Sequence, residues 1–96
     1  MSYARKVDDN QAAVVAALRR IGAEVTHLHS LGHGVADLLV SHHQVWYVIE
    51  IKDGNKPKSA RALTPDEQAW IGRQHAPVFV VNSPEEAVGL LTLMNR

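Results

Sequence analysis

The spacing of apolar residues near the start of the chain predicts a helix. In residues 8–22, apolar positions recur three and four residues apart, which is the pattern of an amphipathic helix that ends before Gly22. Gln11 shares this apolar stripe. Its apolar members are Val14, Val15, Leu18 and Ile21.

Three strands are predicted to follow this helix. Residues 23–30 have the pattern of a short strand. Residues 35–41 and 45–52 are two further strands, and the break between them at residues 42–44 predicts a β-hairpin. The strand at 45–52, VWYVIEIK, is rich in β-branched and aromatic residues and almost continuously apolar. It is therefore expected to be a central strand that is covered on both faces.

Two helix-capping signals organise the rest of the chain. Residues 53–62, DGNKPKSARA, are predicted to be a loop, because glycine, asparagine, proline and serine are interspersed among the basic residues. Residues 64–67, Thr-Pro-Asp-Glu, have the form of a capping box with proline at the first helical position. A helix is expected from there to about His75. Residues 77–81 predict a short buried strand, and residues 83–86 repeat the capping signal before a final helix.

The predicted order is therefore α-β-β-β-α-β-α in one α/β domain over residues 1–96. A mixed central sheet flanked by helices follows from this order. The hairpin region should be antiparallel, and the crossover from the third strand to the fourth should be parallel and right-handed.

Composition restricts the function classes. The chain has 96 residues, no net charge and no cysteine. Disulfides and thiolate zinc sites are thus excluded, and a cytoplasmic location is expected. No segment has the pattern of a signal peptide or a membrane span, so no membrane partner is expected. Neutrality weighs mildly against nucleic-acid binding, yet four basic residues cluster locally. They are Lys52, Lys56, Lys58 and Arg61.

Charged residues at the end of the apolar strand suggest chemistry. Glu50 and Lys52 are two positions apart and should leave the same sheet face, about 6 to 7 Å from each other. Solvated strand ends carry such pairs as well, so the pair alone is weak evidence for a catalytic site. Asp37, in the preceding strand, should lie close to residues 49–50 in the hairpin. Asp37, Glu50 and the carbonyl of Ile51 can then hold Mg²⁺ or Mn²⁺, with Lys52 beside a bound water.

Three segments extend this pattern to a family resemblance. GVADLLV at 34–40, VIEIK at 48–52 and LTPDEQ at 63–68 resemble the motifs of PD-(D/E)XK nucleases. The chain is most similar to the VRR-NUC group and to archaeal Holliday-junction resolvases. Ala36 stands where the motif name has proline.

The resemblance implies a restriction-endonuclease-like α-β-β-β-α-β core, to which this chain adds a C-terminal helix. It implies hydrolysis of phosphodiester bonds that leaves a 5′-phosphate, with Gln68 beside the catalytic residues Asp37, Glu50 and Lys52. Gln11, which together with Asp8 or Asp9 matches the family's first helix, would be a substrate-binding residue. No small-molecule cofactor is expected.

The expected substrate is DNA, branched as in a Holliday junction, in a phage or its bacterial host. Lys56, Lys58 and Arg61 would clamp the phosphate backbone, or would form only a mobile charged loop. His33, in the turn before Asp37, could meet the substrate. A homodimer would supply two sites for paired cuts. Its candidate interface residues are Trp70, Leu90 and Met94.

Two other function classes stay open at this point. The first is a non-catalytic nucleic-acid-binding or accessory subunit that keeps the nuclease fold. The second is a zinc protein built on histidines, of which the chain has six. His27 and His29 would share one strand face, but nothing in the sequence fixes a third or fourth ligand.

Overall fold

The computed structural model describes residues 10–94, without the side chain of Met94, and shows an α/β chain. Asp8 and Asp9 lie outside the described residues. A single 3-10 turn, His29–Leu31, separates the first two strands. The helices and strands are α1 Gln11–Arg20, β1 Glu24–His27, β2 Leu38–His42, β3 Val45–Ile51, α2 Lys58–Arg61, α3 Pro65–Arg73, β4 Phe79–Val81 and α4 Pro84–Met94.

The strands form one mixed sheet in the order β1-β2-β3-β4. β1 pairs with β2 and β2 with β3 in antiparallel fashion, whereas β3 and β4 are parallel. The predicted hairpin and the predicted parallel crossover are both confirmed. The β3 strand lies between two partners, as its apolar sequence indicated.

The hydrophobic core lies on one face of this sheet. β3 points Tyr47, Ile49 and Ile51 to that face, where they are almost completely buried. Helices α1 and α4 pack there and contact each other as well as the edge strands. The opposite face is covered less completely. Trp46 is 68% exposed there, so the expectation that all of β3 is covered on both faces is wrong at its beginning.

The hairpin turn between β2 and β3 fixes the strand register. His43 and Gln44 both have positive φ angles, 47° and 68°, as the central residues of a two-residue type I′ turn require. Register follows from this turn, and Leu38 is paired with Ile49. Asp37, which precedes Leu38, is therefore placed beside the carboxyl-terminal end of β3.

Two local predictions need correction. Residues 53–62 are not entirely a loop, because Lys58–Arg61 form one helical turn, in which Ala60 N–H donates to the Pro57 carbonyl. Proline has a φ suited to the start of such a turn. The first strand ends at His27 rather than at Ser30, since the chain then enters the 3-10 turn.

The exposed apolar side chains differ from those expected for a dimer interface. Leu90 packs partly against the core, and Trp70 is only half-buried. The large apolar side chains that are most exposed in the described chain are Leu31, Trp46, Val80 and Leu93. Within residues 10–94, no helix is both long enough and apolar enough to cross a membrane.

Candidate active site

Asp37 and β3 meet as the sequence predicted. Asp37 immediately precedes β2 and is buried. Its Oδ2 atom accepts a hydrogen bond of 2.7 Å from the Ile51 backbone N–H. The Asp37 carbonyl also accepts from Leu28 N–H at 2.8 Å, so the residue is held from two sides. The prediction that Asp37 lies beside the end of β3 is confirmed.

Glu50 and Lys52 lie at the end of β3 on one face. Their side chains approach each other, with Lys52 Nζ 3.6 Å from Glu50 Oε2. Glu50 is 2% exposed, and Lys52 is also buried. The backbone beneath them is anchored: Lys52 N–H donates to the Val81 carbonyl at 2.9 Å, and Asn10 Nδ2 donates to the Lys52 carbonyl at 3.0 Å. The site therefore stands on a fixed strand end.

Glu67 is a member of this cluster that the sequence reasoning missed. Its Oε1 atom accepts a hydrogen bond of 2.8 Å from Lys52 Nζ. The same oxygen accepts from Thr64 N–H at 2.9 Å, which closes the capping box of α3. The capping signal identified Glu67 as a helix cap. It gave no information on which side chain of another element the carboxylate would meet.

A close backbone contact holds the start of α3 against the site. Gly34 has a φ of +80°, and a Cβ atom there would lie only 2.8 Å from Glu67 N. Glycine is the residue that tolerates both conditions. A cleft of about 350 Å³ opens beside this contact, and exposed His33 is part of its wall. The remaining wall residues are Gly32, Gly34, Thr64, Asp66 and Glu67.

The carboxyl groups of Glu50 and Glu67 have opposite pKa shifts. Burial raises the pKa of Glu50 to about 9, and the hydrogen bond with Glu67 and the charge of Asp37 act in the same direction. Burial also acts to raise the pKa of Glu67, but hydrogen bonds with Glu50, Lys52 and the Thr64 backbone outweigh it and lower that pKa. Because the two carboxyl groups interact, the loss of a proton from one changes the pKa of the other, and burial with the neighbouring negative charges favours the neutral form of Glu50.

The donor set fits a hard divalent cation. Asp37 and Glu50 supply carboxylate oxygens and Ile51 can supply a carbonyl oxygen, which are the ligand types of Mg²⁺ and Mn²⁺. No donor among the described residues reaches the buried Glu50 Oε1 atom. A cation bound there would satisfy this oxygen and favour the ionised form of Glu50, whose pKa is raised mainly by burial and also by the charge of Asp37. Because Mg²⁺ usually keeps several waters, two protein carboxylates suffice.

Neither Gln11 nor Gln68 is hydrogen-bonded to Asp37, Glu50 or Lys52. Gln68 is exposed, and its amide donates to the Leu63 carbonyl at 3.1 Å, so it makes no hydrogen bond to Glu50 or Lys52. Successive helical residues differ by about 100° around the axis, and α3 turns Glu67 inward instead. Gln11 is buried, with its amide 3.3 Å from His27 Nδ1, so it is not available to substrate in this conformation.

The basic cluster is divided by the structure. Lys58 is exposed on α2, and Lys56 is partly exposed just before it. Arg61 points elsewhere: it lines a cleft with the start of α4, where no described residue bonds to its buried Nε atom. The exposed Lys58 side chain can reach a phosphate from the solvent, whereas the Arg61 side chain lies in the cleft beside α4.

Four of the six histidines form two ring pairs in the described chain. His27 and His29 meet edge to face, with ring centroids 5.8 Å apart, and His42 stacks on His43 at 4.0 Å. His42 is buried, with Nε2 3.1 Å from the Ile21 carbonyl. No group of three or more histidine or carboxylate side chains within residues 10–94 has the arrangement of metal ligands. In the described chain, the histidine zinc hypothesis therefore has no structural support.

Comparison with known proteins adds no further likeness: no protein-family model matches the chain, and no significant match was found among curated proteins or among solved structures.

Proposed function

We propose that this chain is a magnesium- or manganese-dependent endonuclease that hydrolyses DNA. In this proposal its mixed sheet and helices are a restriction-endonuclease-like core of the PD-(D/E)XK superfamily, closest to the VRR-NUC group. One observation carries the proposal. Asp37, just before β2, is hydrogen-bonded to the residue that follows Glu50 in β3, and the Lys52 ammonium lies 3.6 Å from the Glu50 carboxylate.

Asp37 and Glu50, with the Ile51 carbonyl, would hold the metal. The bound cation would supply a water of lowered pKa and offset negative charge on the scissile phosphate. The Ile51 N–H group fixes the orientation of the Asp37 carboxylate before any ligand arrives. Such preorganisation lowers the cost of assembling the site during the reaction.

Lys52 would act on the reacting groups as a hydrogen-bond donor and a fixed positive charge. Its Nζ atom can orient the attacking water or stabilise the charge that develops on a non-bridging phosphate oxygen. Water then displaces the 3′ oxygen and leaves a 5′-phosphate. Outside the cluster, Lys56 and Lys58 would contact the DNA backbone, and His33 and Gln68 would border the bound strand.

A homodimer acting on branched DNA belongs to the same proposal, since one site cuts one strand and paired cuts need two. Sedimentation of the protein together with a four-way junction measures this directly. Two copies per junction are expected. One copy per junction, with single-strand nicks as the product, would remove the dimer and leave the nuclease assignment intact.

Cleavage of labelled four-way junction, splayed-arm and linear duplex DNA in Mg²⁺ or Mn²⁺ tests the activity. Asp37→Asn keeps an oxygen that can accept from Ile51 N–H, and Lys52→Met keeps the length of the side chain. Both variants are expected to lose at least about 100-fold in rate. Glu86→Gln, an exposed glutamate on α4, is the control and should cut like the wild type.

The rival is an accessory subunit that binds nucleic acid without cutting it. Lys52 is engaged by Glu67 at 2.8 Å, Glu50 is buried, and the chain has no net positive charge, all of which suit a site that does not turn over. In that case the wild type binds the junction in both metals and leaves every strand intact.

A further inference from the structure

Lys52 has carboxylate partners on two different elements. Glu50 belongs to its own strand, with Oε2 3.6 Å from the ammonium, and Glu67 belongs to α3, with Oε1 at 2.8 Å. The Glu67 contact has hydrogen-bond length, whereas the Glu50 contact is longer. The position of the ammonium is therefore set by the helix more than by the strand that carries the lysine.

The Lys52–Glu67 pair is enclosed. The two side chains are 10% and 5% exposed. Exposed ion pairs contribute little to the free energy of folding. In an enclosed pair, removal of one residue takes a partner from a charge that stays buried, which is destabilising. A lysine side chain also has many rotamers, and a fixed acceptor selects among them. Removal of Glu67 would take away the hydrogen-bond acceptor that α3 provides for the ammonium.

The same Glu67 oxygen ties the pair to the start of α3. Oε1 accepts from both Lys52 Nζ and Thr64 N–H, at 2.8 Å and 2.9 Å. The backbone at Asp66 and Glu67 in turn rests on Gly34. The cap of a helix, the turn before Asp37 and the lysine at the strand end are thus joined through one carboxylate.

We propose that Glu67 is the positioning residue for Lys52: it holds the ammonium beside Glu50 and leaves direct contact with substrate to the lysine. The consequence for catalysis rests on the proposed nuclease function, but the positioning itself does not. Displacement of a reacting group by about 1 Å can cost on the order of 100-fold in rate. Loss of Glu67 should thus lower kcat, and KM should stay close to the wild-type value.

A capping glutamate elsewhere in the chain provides a matched control. Glu86 occupies the corresponding place on α4, where its carboxylate accepts from Asn82 N–H at 2.9 Å and is exposed. Glu86→Ala removes a helix-start interaction without touching a lysine. Glu67→Ala removes both the cap and the lysine contact, and Glu67→Gln keeps an oxygen acceptor without the charge.

The primary measurement is the side-chain ammonium signal of Lys52 in nitrogen-15 NMR of the full chain, assigned by its loss in Lys52→Met. An ammonium held in an enclosed pair gives a resolved, slowly exchanging signal. The signal should be present in the wild type and in Glu86→Ala, and absent in Glu67→Ala. Persistence of an unshifted Lys52 signal in folded Glu67→Ala overturns the proposal.

If Glu67→Ala does not fold, Glu67→Gln decides the question. Its Lys52 signal should shift, and the signal in Glu86→Gln should stay in place; an unmoved signal in Glu67→Gln overturns the proposal. Steady-state cleavage kinetics then test the catalytic consequence, with a loss of about 10- to 100-fold in kcat expected for Glu67→Ala and partial rescue by Glu67→Gln. A chain that never cuts DNA refutes the nuclease proposal, while the NMR result still stands.

Discussion

Two helix starts in this chain have the same local sequence pattern and different surroundings. At α3, Thr64 Oγ1 accepts from Glu67 N–H at 3.2 Å, and at α4, Ser83 Oγ accepts from Glu86 N–H at 3.0 Å. Both helices continue with proline at the first position. The cap hydroxyl bond is thus present at both helix starts, but in the described chain the reciprocal bond from the glutamate to the cap residue is seen only at α3, where Glu67 accepts from Thr64 N–H. At α4, Glu86 accepts from Asn82 N–H instead.

The two glutamates then diverge. Glu67 is 4% exposed and bonds to Lys52, while Glu86 is exposed and bonds to the backbone and side chain of Asn82. The glutamate of a capping box has further lone pairs, which can accept a second hydrogen bond. Whether that capacity is used by a distant side chain depends on what packs against the helix start. A local motif can therefore fix where a helix begins, while the tertiary structure decides which chemical role its residues have.

The pH dependence of stability should show the largest effect, and it comes from Glu50, the strand residue beside the start of α3. Because the folded-state pKa of Glu50 is raised from about 4.5 to about 9, this carboxyl contributes stability that is complete below pH 4.5 and is lost as the pH rises toward 9. In metal-free buffer, the free energy of unfolding should fall through this window, with a slope approaching about 1.4 kcal/mol per pH unit.

Urea unfolding at pH 5 to 9 measures this slope. Glu50→Gln should flatten it, because a neutral amide has no proton to lose. Glu86→Gln, at the start of α4, should keep the wild-type slope. Equal slopes in the wild type and in Glu50→Gln would contradict a raised Glu50 pKa.

The backbone contact beneath α3 gives the next largest effect. Gly34→Ala introduces a Cβ against Asp66 and Glu67 at a positive φ, and should cost about 3 kcal/mol in unfolding free energy. Gly22 has a similar φ of +92° but open space around it, so Gly22→Ala should cost about 1 to 2 kcal/mol. Chemical denaturation of both variants measures the difference, which is the cost of the steric contact with α3. Equal losses of unfolding free energy would mean that α3 moves away from the new Cβ atom without a measurable cost.

The smallest effect concerns the cap hydroxyl groups themselves. Thr64→Ala and Ser83→Ala should each cost about 1 kcal/mol of unfolding free energy, since each removes one hydrogen bond to a helix start. Only Thr64→Ala should also change the ammonium signal of Lys52, because Thr64 belongs to the capping box that includes Glu67. A Lys52 signal that responds equally to both variants would show that the two helix starts do not differ in this way.

The sequence predicted the elements that depend on local rules. The alternation and the break at residues 42–44 indicated the hairpin, and its register brought Asp37 to the end of β3. Because side chains alternate between the two faces of a strand, Glu50 and Lys52 were predicted on one face, and Lys52 Nζ lies 3.6 Å from Glu50 Oε2. These relations follow from strand geometry and a tight turn, so no knowledge of the tertiary packing was needed.

The errors concern features that depend on packing between elements. A cap determines where α3 begins but not which of its sides faces the sheet, so Glu67 rather than Gln68 reached Lys52. Gln11 was placed correctly on the buried stripe and wrongly at the substrate surface, because burial of the stripe also buries its amide. The direction of Arg61 likewise depended on a helical turn that the composition of residues 53–62 concealed.

Calorimetric titration of Mn²⁺ into the wild-type chain and Asp37→Asn tests the proposed metal site most directly, with Asp66→Asn, an exposed aspartate at the start of α3, as control. One ion should bind the wild type and Asp66→Asn at pH 7, with release of close to one proton as Glu50 ionises, seen as a dependence of the enthalpy on the buffer. Asp37→Asn should show neither uptake nor proton release. Absence of uptake by the wild type, or uptake that is unchanged in Asp37→Asn, would contradict a metal site built on Asp37 and Glu50.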